Sequence, residues 1–308
     1  MKNEAFVILG PTCSGKTSLA LDLCKRCNGE IISADSRQVV KYMDIGTGKL
    51  PIDSKCIVKK GDEVWTIDDI PIWGYDLTTP EQYFTGVDWV RGALERTKFL
   101  VEKGKKVFIV GGTGFYIDLF TGDKKPAAVK PDYELRKSLE TTPTKNLLTW
   151  LMSLNPSSVD KLDTKNRVRI IRALEIELGK ETRSSTPLPS LKNFSVKKVG
   201  LKSSRRLLYQ HADQFVEEIW AKGLVKEIQK LLGMGYKDTT KMNGLIYKTG
   251  VQYVNGEVGE KDAIERIKFD MHAYIRRQQT YFKKMSNVDW YDIARDGFKE
   301  KIYTLASG

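Results

Sequence analysis

Eight residues, Gly10 to Thr17 (GPTCSGKT), carry the spacing that a bound phosphate requires. Gly10 and Gly15 let the backbone curl so that successive amide N–H groups converge on an anion, and a helix starting near Lys16 adds its positive end. Lys16 places a point charge among the outer phosphate oxygens, and the Thr17 hydroxyl suits a Mg²⁺ that shares them. The candidate phosphate-binding set is therefore Gly10, Pro11, Thr12, Cys13, Ser14, Gly15, Lys16 and Thr17, with Thr17 the metal ligand. The loop does not say whether its anion is a nucleotide or a diphosphate ester, and a glycine turn with a structural lysine is the plain alternative.

Two further short runs bear chemistry. The sequence ADSRQ puts Asp35, Ser36, Arg37 and Gln38 after an apolar run, and GGTG puts Thr113 after another. If both runs are strands of an open α/β sheet, these residues sit at the strands' C-terminal ends, where such sheets bind ligands. Asp35 is then a base or metal ligand beside the phosphate loop, or simply a turn aspartate. A nucleotide hydrolase would end the second strand in an acid that holds Mg²⁺. Val110 is followed instead by glycines and Thr113, a small-residue loop in which Thr113 can hydrogen-bond a substrate.

The elements that would position these groups follow from periodicity. Ala5 to Leu9 and Val107 to Val110 are short apolar runs suited to a buried parallel sheet, with Glu30 to Ser33 read as a second strand and Val196 to Leu201 as a returning core strand. Trp65 to Trp73 suggests further strands. Leu19, Ala20, Leu23 and Cys27 recur at helical spacing, ended by Asn28-Gly29. Pro80-Glu81 is expected to open a helix whose stripe includes Tyr83, Val87, Val90, Leu94 and Val101. Arg205 to Leu232 reads as one long helix with Phe215 on its buried side, and Lys261 to Lys284 as another.

Between them, Asp123 to Lys130 is polar, and Tyr133 to Leu139, Leu147 to Leu154 and Val168 to Leu178 are helical. Glu181 to Leu191 reads as a mobile loop. The predicted fold class is α/β: a P-loop NTPase-like parallel sheet flanked by helices, residues 1–122 and 185–308, with a helical insertion domain at 123–184.

Composition constrains the partners. The chain has 308 residues and a formal net charge of +12, which favours a polyanion such as nucleic acid, with an anionic membrane or simple solubility as alternatives. Lys161, Lys165, Arg167, Arg169 and Arg172 cluster in the insertion, either to meet a nucleic-acid backbone or as a solvated helix face. Arg276 and Arg277 interleave with Tyr274 and Tyr281, a pattern for phosphate contact with stacking. No apolar run is long enough to span a membrane, and the N-terminus lacks the pattern of a secretory signal, so a cytoplasmic protein with no membrane partner is expected. Cys24 and Cys27 lack a second pair, which favours helical thiols over a metal half-site.

Six runs in order, ILGPTCSGKT, IISADSRQVVKYMDIGTGK, VFIVGGTGFYI, DTKNRVRIIRALEI, GLVKEIQKLLGMGY and RRQQTYFKK, resemble the tRNA dimethylallyltransferases from Val7 to about Lys284. The resemblance implies transfer of a dimethylallyl group from dimethylallyl diphosphate to N6 of adenosine 37 in the tRNA anticodon stem-loop, by a monomer using Mg²⁺. It implies Thr12 to Thr17 on the diphosphate, Asp35 as base, Ser36 to Gln38 on tRNA and Thr113 near the target nucleotide. Val168, Arg169, Ile170, Ile171 and Arg172 would lie on the RNA. The chain departs from the family pattern at Val40, Ile72-Trp73 and Gly244 to Tyr247, and it lacks arginines near His211 and Phe215. Lys202, Arg205 or Arg206 is the expected substitute. The competing readings are a phosphate-loop kinase of a small metabolite, an adenylate isopentenyltransferase and a non-catalytic RNA-binding relative.

Overall fold

The computed structural model describes residues 4–51, 55–127, 129–160, 162–179 and 194–307. It contains two compact units, Met1–Lys124 with Pro189–Gly308, and Lys125–Leu188. Lys161 and the loop expected at Glu181 to Leu191 lie outside the described residues.

The first unit is built on an eight-stranded sheet in the order β3-β4-β5-β2-β6-β1-β7-β8. Its central strands β1 (Glu4–Leu9), β2 (Gly29–Ser33), β6 (Lys106–Gly111) and β7 (Ser195–Lys202) are parallel, with Leu9 opposite both Gly111 and Gly200. Apolar side chains on both faces explain why β1 and β6 read as continuous hydrophobic runs rather than alternating ones, whereas β2 carries Glu30 and β7 carries Lys197 and Lys198. Edge strands β3 (Val58–Lys60), β4 (Val64–Ile67) and β5 (Ile70–Trp73) form an antiparallel meander, and β5 joins β2 in parallel. The strand β8 (Val288–Asp292) closes the other edge, parallel to β7.

Helix α1 (Lys16–Cys27) buries Leu19, Ala20, Leu23 and Cys24 in the core and ends at Asn28, whose left-handed φ of 51° caps it. Helix α2 (Gly86–Glu102) starts six residues beyond the proline expected to open it. The Thr85 side chain accepts the Asp88 amide while Asp88 takes that of Thr85, and this reciprocal cap fixes the start. Tyr83 consequently lies outside the helix and is exposed. The helix α3 (Gly114–Thr121) follows β6, and its Tyr116 ring stacks on Trp89 at 4.7 Å.

In the second unit, α4 (Tyr133–Ser138), α5 (Thr144–Leu154) and α6 (Arg167–Leu178) enclose Leu139, Leu147, Leu151, Ile170 and Leu174. The Glu175 carboxylate is buried with them and receives Arg136 at 2.6 Å, Arg172 at 2.8 Å and the Asp132 amide at 3.0 Å. Burial opposes its ionisation, but the two guanidinium groups and the amide outweigh this and hold its pKa below the usual glutamate range.

The expected single helix from Arg205 is two, α7 (Arg205–Ala221) and α8 (Leu224–Gly233). Gly223, at a φ of 104°, breaks the run, and the apolar period continues across the break because both pieces face one core. Phe215 is only half-buried; Val216 and Ile219 fill the core positions instead. Helices α9 (Leu245–Val254), α10 (Glu260–Phe282) and α11 (Phe298–Ser307) complete the first unit, to which α7 and α8 also belong.

Candidate active site

Because β1, β2 and β6 run in parallel, their carboxyl ends bring three loops to one edge of the sheet. The first is the phosphate loop. Gly10 adopts a φ of 150°, and a Cβ there would meet the Leu201 carbonyl at 2.5 Å, so this position admits only glycine without rearrangement. Gly15, at 78°, turns the chain into α1. Lys16 donates to the Pro11 carbonyl at 2.7 Å, spanning the loop. Burial lowers its pKa from the ordinary lysine value to about 8, with Asp35 pulling it back upward. The Cys13 thiol is pushed by burial up to about 11 and stays protonated. Among the described residues the buried Ser14 hydroxyl has no hydrogen-bond partner, an unmet polar group within a loop shaped for an anion.

The second loop carries Asp35. Its Oδ1 accepts the Arg37 amide at 2.9 Å, an Asx turn that fixes the carboxylate at the strand end. The Arg37 guanidinium donates to the Lys241 carbonyl at 3.1 Å and lies so close over Gly244 that a Cβ there would sit 2.2 Å from it. Gln38 accepts from Ser33 Oγ at 2.7 Å and donates to the Thr47 and Gly48 carbonyls at 3.2 Å, holding the loop of residues 44–48 against β2. Glu227 completes that anchorage by accepting the amides of Asp44, Ile45 and Gly46 and the Tyr247 hydroxyl.

The third loop carries Thr113. Its Oγ1 accepts the Ser36 amide at 2.9 Å and donates to Ser36 Oγ at 3.2 Å, and its own amide donates to the Ala34 carbonyl at 3.1 Å. Thr113 thus ties the second loop to the third and does not line the cavity between them.

That cavity has a volume of about 780 Å³ and is lined by Thr12 to Thr17, Asp35, Arg37, Gln38 and Tyr274 among others. Gly10 and Pro11 shape the loop from behind it. Apolar groups of Phe215, Leu245, Ile246 and Met271 share the lining, so one chamber joins an anion cradle, a carboxylate and a hydrophobic wall. Burial, then Asp35, raises the pKa of Tyr274, leaving a neutral phenol near that carboxylate. His211 also lines the chamber; a carbonyl can only accept, so the 3.1 Å contact with the Cys13 carbonyl makes His211 Nδ1 the donor. Lys202, Arg205 and Arg206, expected to replace the missing arginines, are exposed and line none of it.

The other sequence candidates divide. Arg276 and Arg277 are exposed on α10, Arg276 donating to the Tyr209 hydroxyl and Arg277 lying 5.7 Å from the Tyr274 ring centre. In the second unit, Val168 and Arg169 are exposed and Ile171 is half-buried. Ile170 is fully buried in that unit's core and has no surface to offer a ligand, which corrects its assignment to RNA. Arg172 is engaged by Glu175 and the Val129 and Lys130 carbonyls, and Arg167 by the carbonyls of Leu139, Glu140 and Thr142. Both guanidinium groups are thus held by partners within the second unit. Gln278, which bridges the first and third loops, lies in the RRQQTYFKK run on the buried stripe of α10 with Met271, Ile275 and Phe282; a polar residue at an apolar position is the signal that marks it.

A family model described as IPP transferase matches residues 38–285, and one described as isopentenyl transferase matches residues 3–70. A tRNA dimethylallyltransferase of Acetivibrio thermocellus is 37% identical over 97% of this chain and 95% of its own. The crystal structure of a full-length tRNA isopentenylpyrophosphate transferase from Bacillus halodurans superposes with a TM-score of 0.69 at 29% identity, covering 100% of this chain and 96% of that one. A eukaryotic dimethylallyltransferase acting on tRNA, 21% identical, has the same fold at a TM-score of 0.72 over 95% of this chain and 74% of its own.

Proposed function

We infer residue roles from a plain premise: the chain belongs to the IPP transferase family and is an enzyme that transfers a dimethylallyl group to tRNA. The finer assignment is transfer from dimethylallyl diphosphate to N6 of adenosine 37, releasing diphosphate. The observation that carries it is the chamber itself, in which an anion cradle and a carboxylate face the same apolar space and no acid follows Val110.

In this reading the amides of Cys13 to Thr17 and the Lys16 ammonium hold the diphosphate. As the allylic C–O bond ionises, charge accumulates on the leaving oxygens, and donors already fixed in a partly dry site stabilise it without reorganising. The apolar wall of Phe215, Ile246 and Met271 encloses the prenyl group and keeps water from the allylic cation. The adenine must leave its stack to enter. Its exocyclic amine is a weak nucleophile, and Asp35 Oδ2, the oxygen not taken by Arg37, accepts the N–H proton as the new C–N bond forms. Thr113 and Ser36 hold the Asp35 turn in register rather than contacting the reacting atoms.

Among the described residues, no group of three or more His, Cys, Asp or Glu could hold a metal. Thr17 lines the chamber, and a site of one hydroxyl completed by diphosphate oxygens and water is the kind Mg²⁺ commonly takes. Bound there, Mg²⁺ would neutralise charge on the leaving diphosphate. Exposed Arg169, Arg276 and Arg277 are the cations assigned to the RNA backbone. No described helix is long and apolar enough to cross a membrane; a tRNA substrate agrees with a cytoplasmic site of action.

The test is mass spectrometry of a tRNA with adenosines at 36 to 38, incubated with the protein and dimethylallyl diphosphate. A gain of one prenyl unit at adenosine 37 is expected. No gain, with ATP consumed in its presence, would favour a kinase.

A further inference from the structure

We propose that Gln278 is a positioning residue that sets the distance between the donor loop and the acceptor loops; the proposal rests on the transfer reaction assigned above. Gln278 projects from α10 and is 5% exposed. Its Oε1 accepts the Thr12 amide at 2.8 Å, and its Nε2 donates to the Gly112 carbonyl at 3.0 Å. The amide orientation is fixed by chemistry, since the reverse would set N–H against N–H and oxygen against oxygen. Gly112 is fitted to it: a Cβ at that position would lie 2.4 Å from Nε2.

The consequence lies in what each loop carries. Thr12 adjoins the amides assigned to the diphosphate. Gly112 precedes Thr113, whose hydroxyl holds Ser36 and with it the turn presenting Asp35. One neutral side chain from a third element therefore spans the two halves of the reaction, leaving group on one side and base on the other. The bases of both loops are already locked by the pairing of β1 with β6, where Leu9 stands opposite Gly111. Removing the clasp should leave the sheet intact and free only the loop tips. Chemistry is sensitive to that: a displacement of about 1 Å away from the productive geometry costs on the order of 100-fold in rate.

The experiment uses the full chain, dimethylallyl diphosphate and an RNA hairpin with the anticodon stem-loop sequence. Gln278→Met fills the space with neither hydrogen bond, and Gln278→Glu keeps the Thr12 acceptor while setting a carboxylate oxygen against Gly112. Single-turnover rates at saturation should fall on the order of 100-fold in Gln278→Met, with the Kd of each substrate alone within about threefold of wild type. Gln278→Glu should be impaired in rate likewise, and gives the same reading should the Met variant fold poorly. An unimpaired rate, or a loss matched by weaker substrate binding or by the unfolded fraction, overturns the clasp. A wild-type chain that transfers nothing overturns the reaction assignment instead.

Discussion

At the scale of single residues, the proposed mechanism divides the work between Asp35 and Lys16 by charge. Asp35→Asn preserves shape and the Arg37 contact but cannot accept a proton, so transfer should fall by about 10²- to 10⁴-fold while tRNA binding stays within a few-fold. Wild-type single-turnover rates in that variant would remove Asp35 as the base. Lys16 carries a pH signature. With its pKa lowered to about 8, the free loop is cationic below that pH and loses the charge as pH rises through it. A bound diphosphate favours the ammonium, so donor affinity should weaken above about pH 8, and binding there should take up a proton. Calorimetry in buffers of different ionisation enthalpy measures that uptake; none would mean that Lys16 does not titrate on binding.

At the scale of elements, the loops depend on a few backbone positions. Gly10→Ala would drive a methyl group into the Leu201 carbonyl from a positive φ, and a loss of about 1–3 kcal/mol in unfolding free energy is expected, read by urea titration. Full stability would show that the loop relaxes freely. In the second unit, Arg169→Gln should flatten the salt dependence of tRNA binding by about 0.7–0.9 in log-log slope, whereas Arg172→Gln should act through the stability of the Glu175 cluster. An unchanged slope in Arg169→Gln would place the RNA surface elsewhere.

Much of this layer was readable beforehand, because buried parallel strands and glycine loops leave local marks. The phosphate loop and the Thr113 loop each follow a continuous hydrophobic strand, and the Asp35 turn follows the shorter Ile31-Ile32 pair of β2. What escaped was non-local or balanced by competing signals. Pro80 is an acceptable helix opener, but the Thr85–Asp88 cap satisfies more amides, and the helix starts there. Gly223 breaks a helix whose apolar period runs on, and only its backbone angle betrays the break. The polar run of β8 does not look like a strand until β7 supplies its ladder. Ile170 reads as part of an RNA-facing stretch because sequence cannot show that the unit's core claims it, and the ion pair of Arg172 with Glu175 is equally hidden. The partners of Gln278 are invisible in the same way, since both lie more than 160 positions away.

At the scale of the whole molecule, a net charge of +12 serves an enzyme whose acceptor is a polyanion, while its donor needs only one anion cradle. The central claim is that the phosphate loop grips the diphosphate of a prenyl donor and not a nucleotide triphosphate. Titration calorimetry of wild type and Lys16→Ala with dimethylallyl diphosphate and Mg²⁺, with and without excess ATP, tests it most directly. Donor binding should survive excess ATP and weaken by about 10- to 100-fold in Lys16→Ala, the scale of one lost charge-assisted hydrogen bond. Donor binding indifferent to Lys16, or displaced entirely by ATP that the protein then hydrolyses, would contradict it.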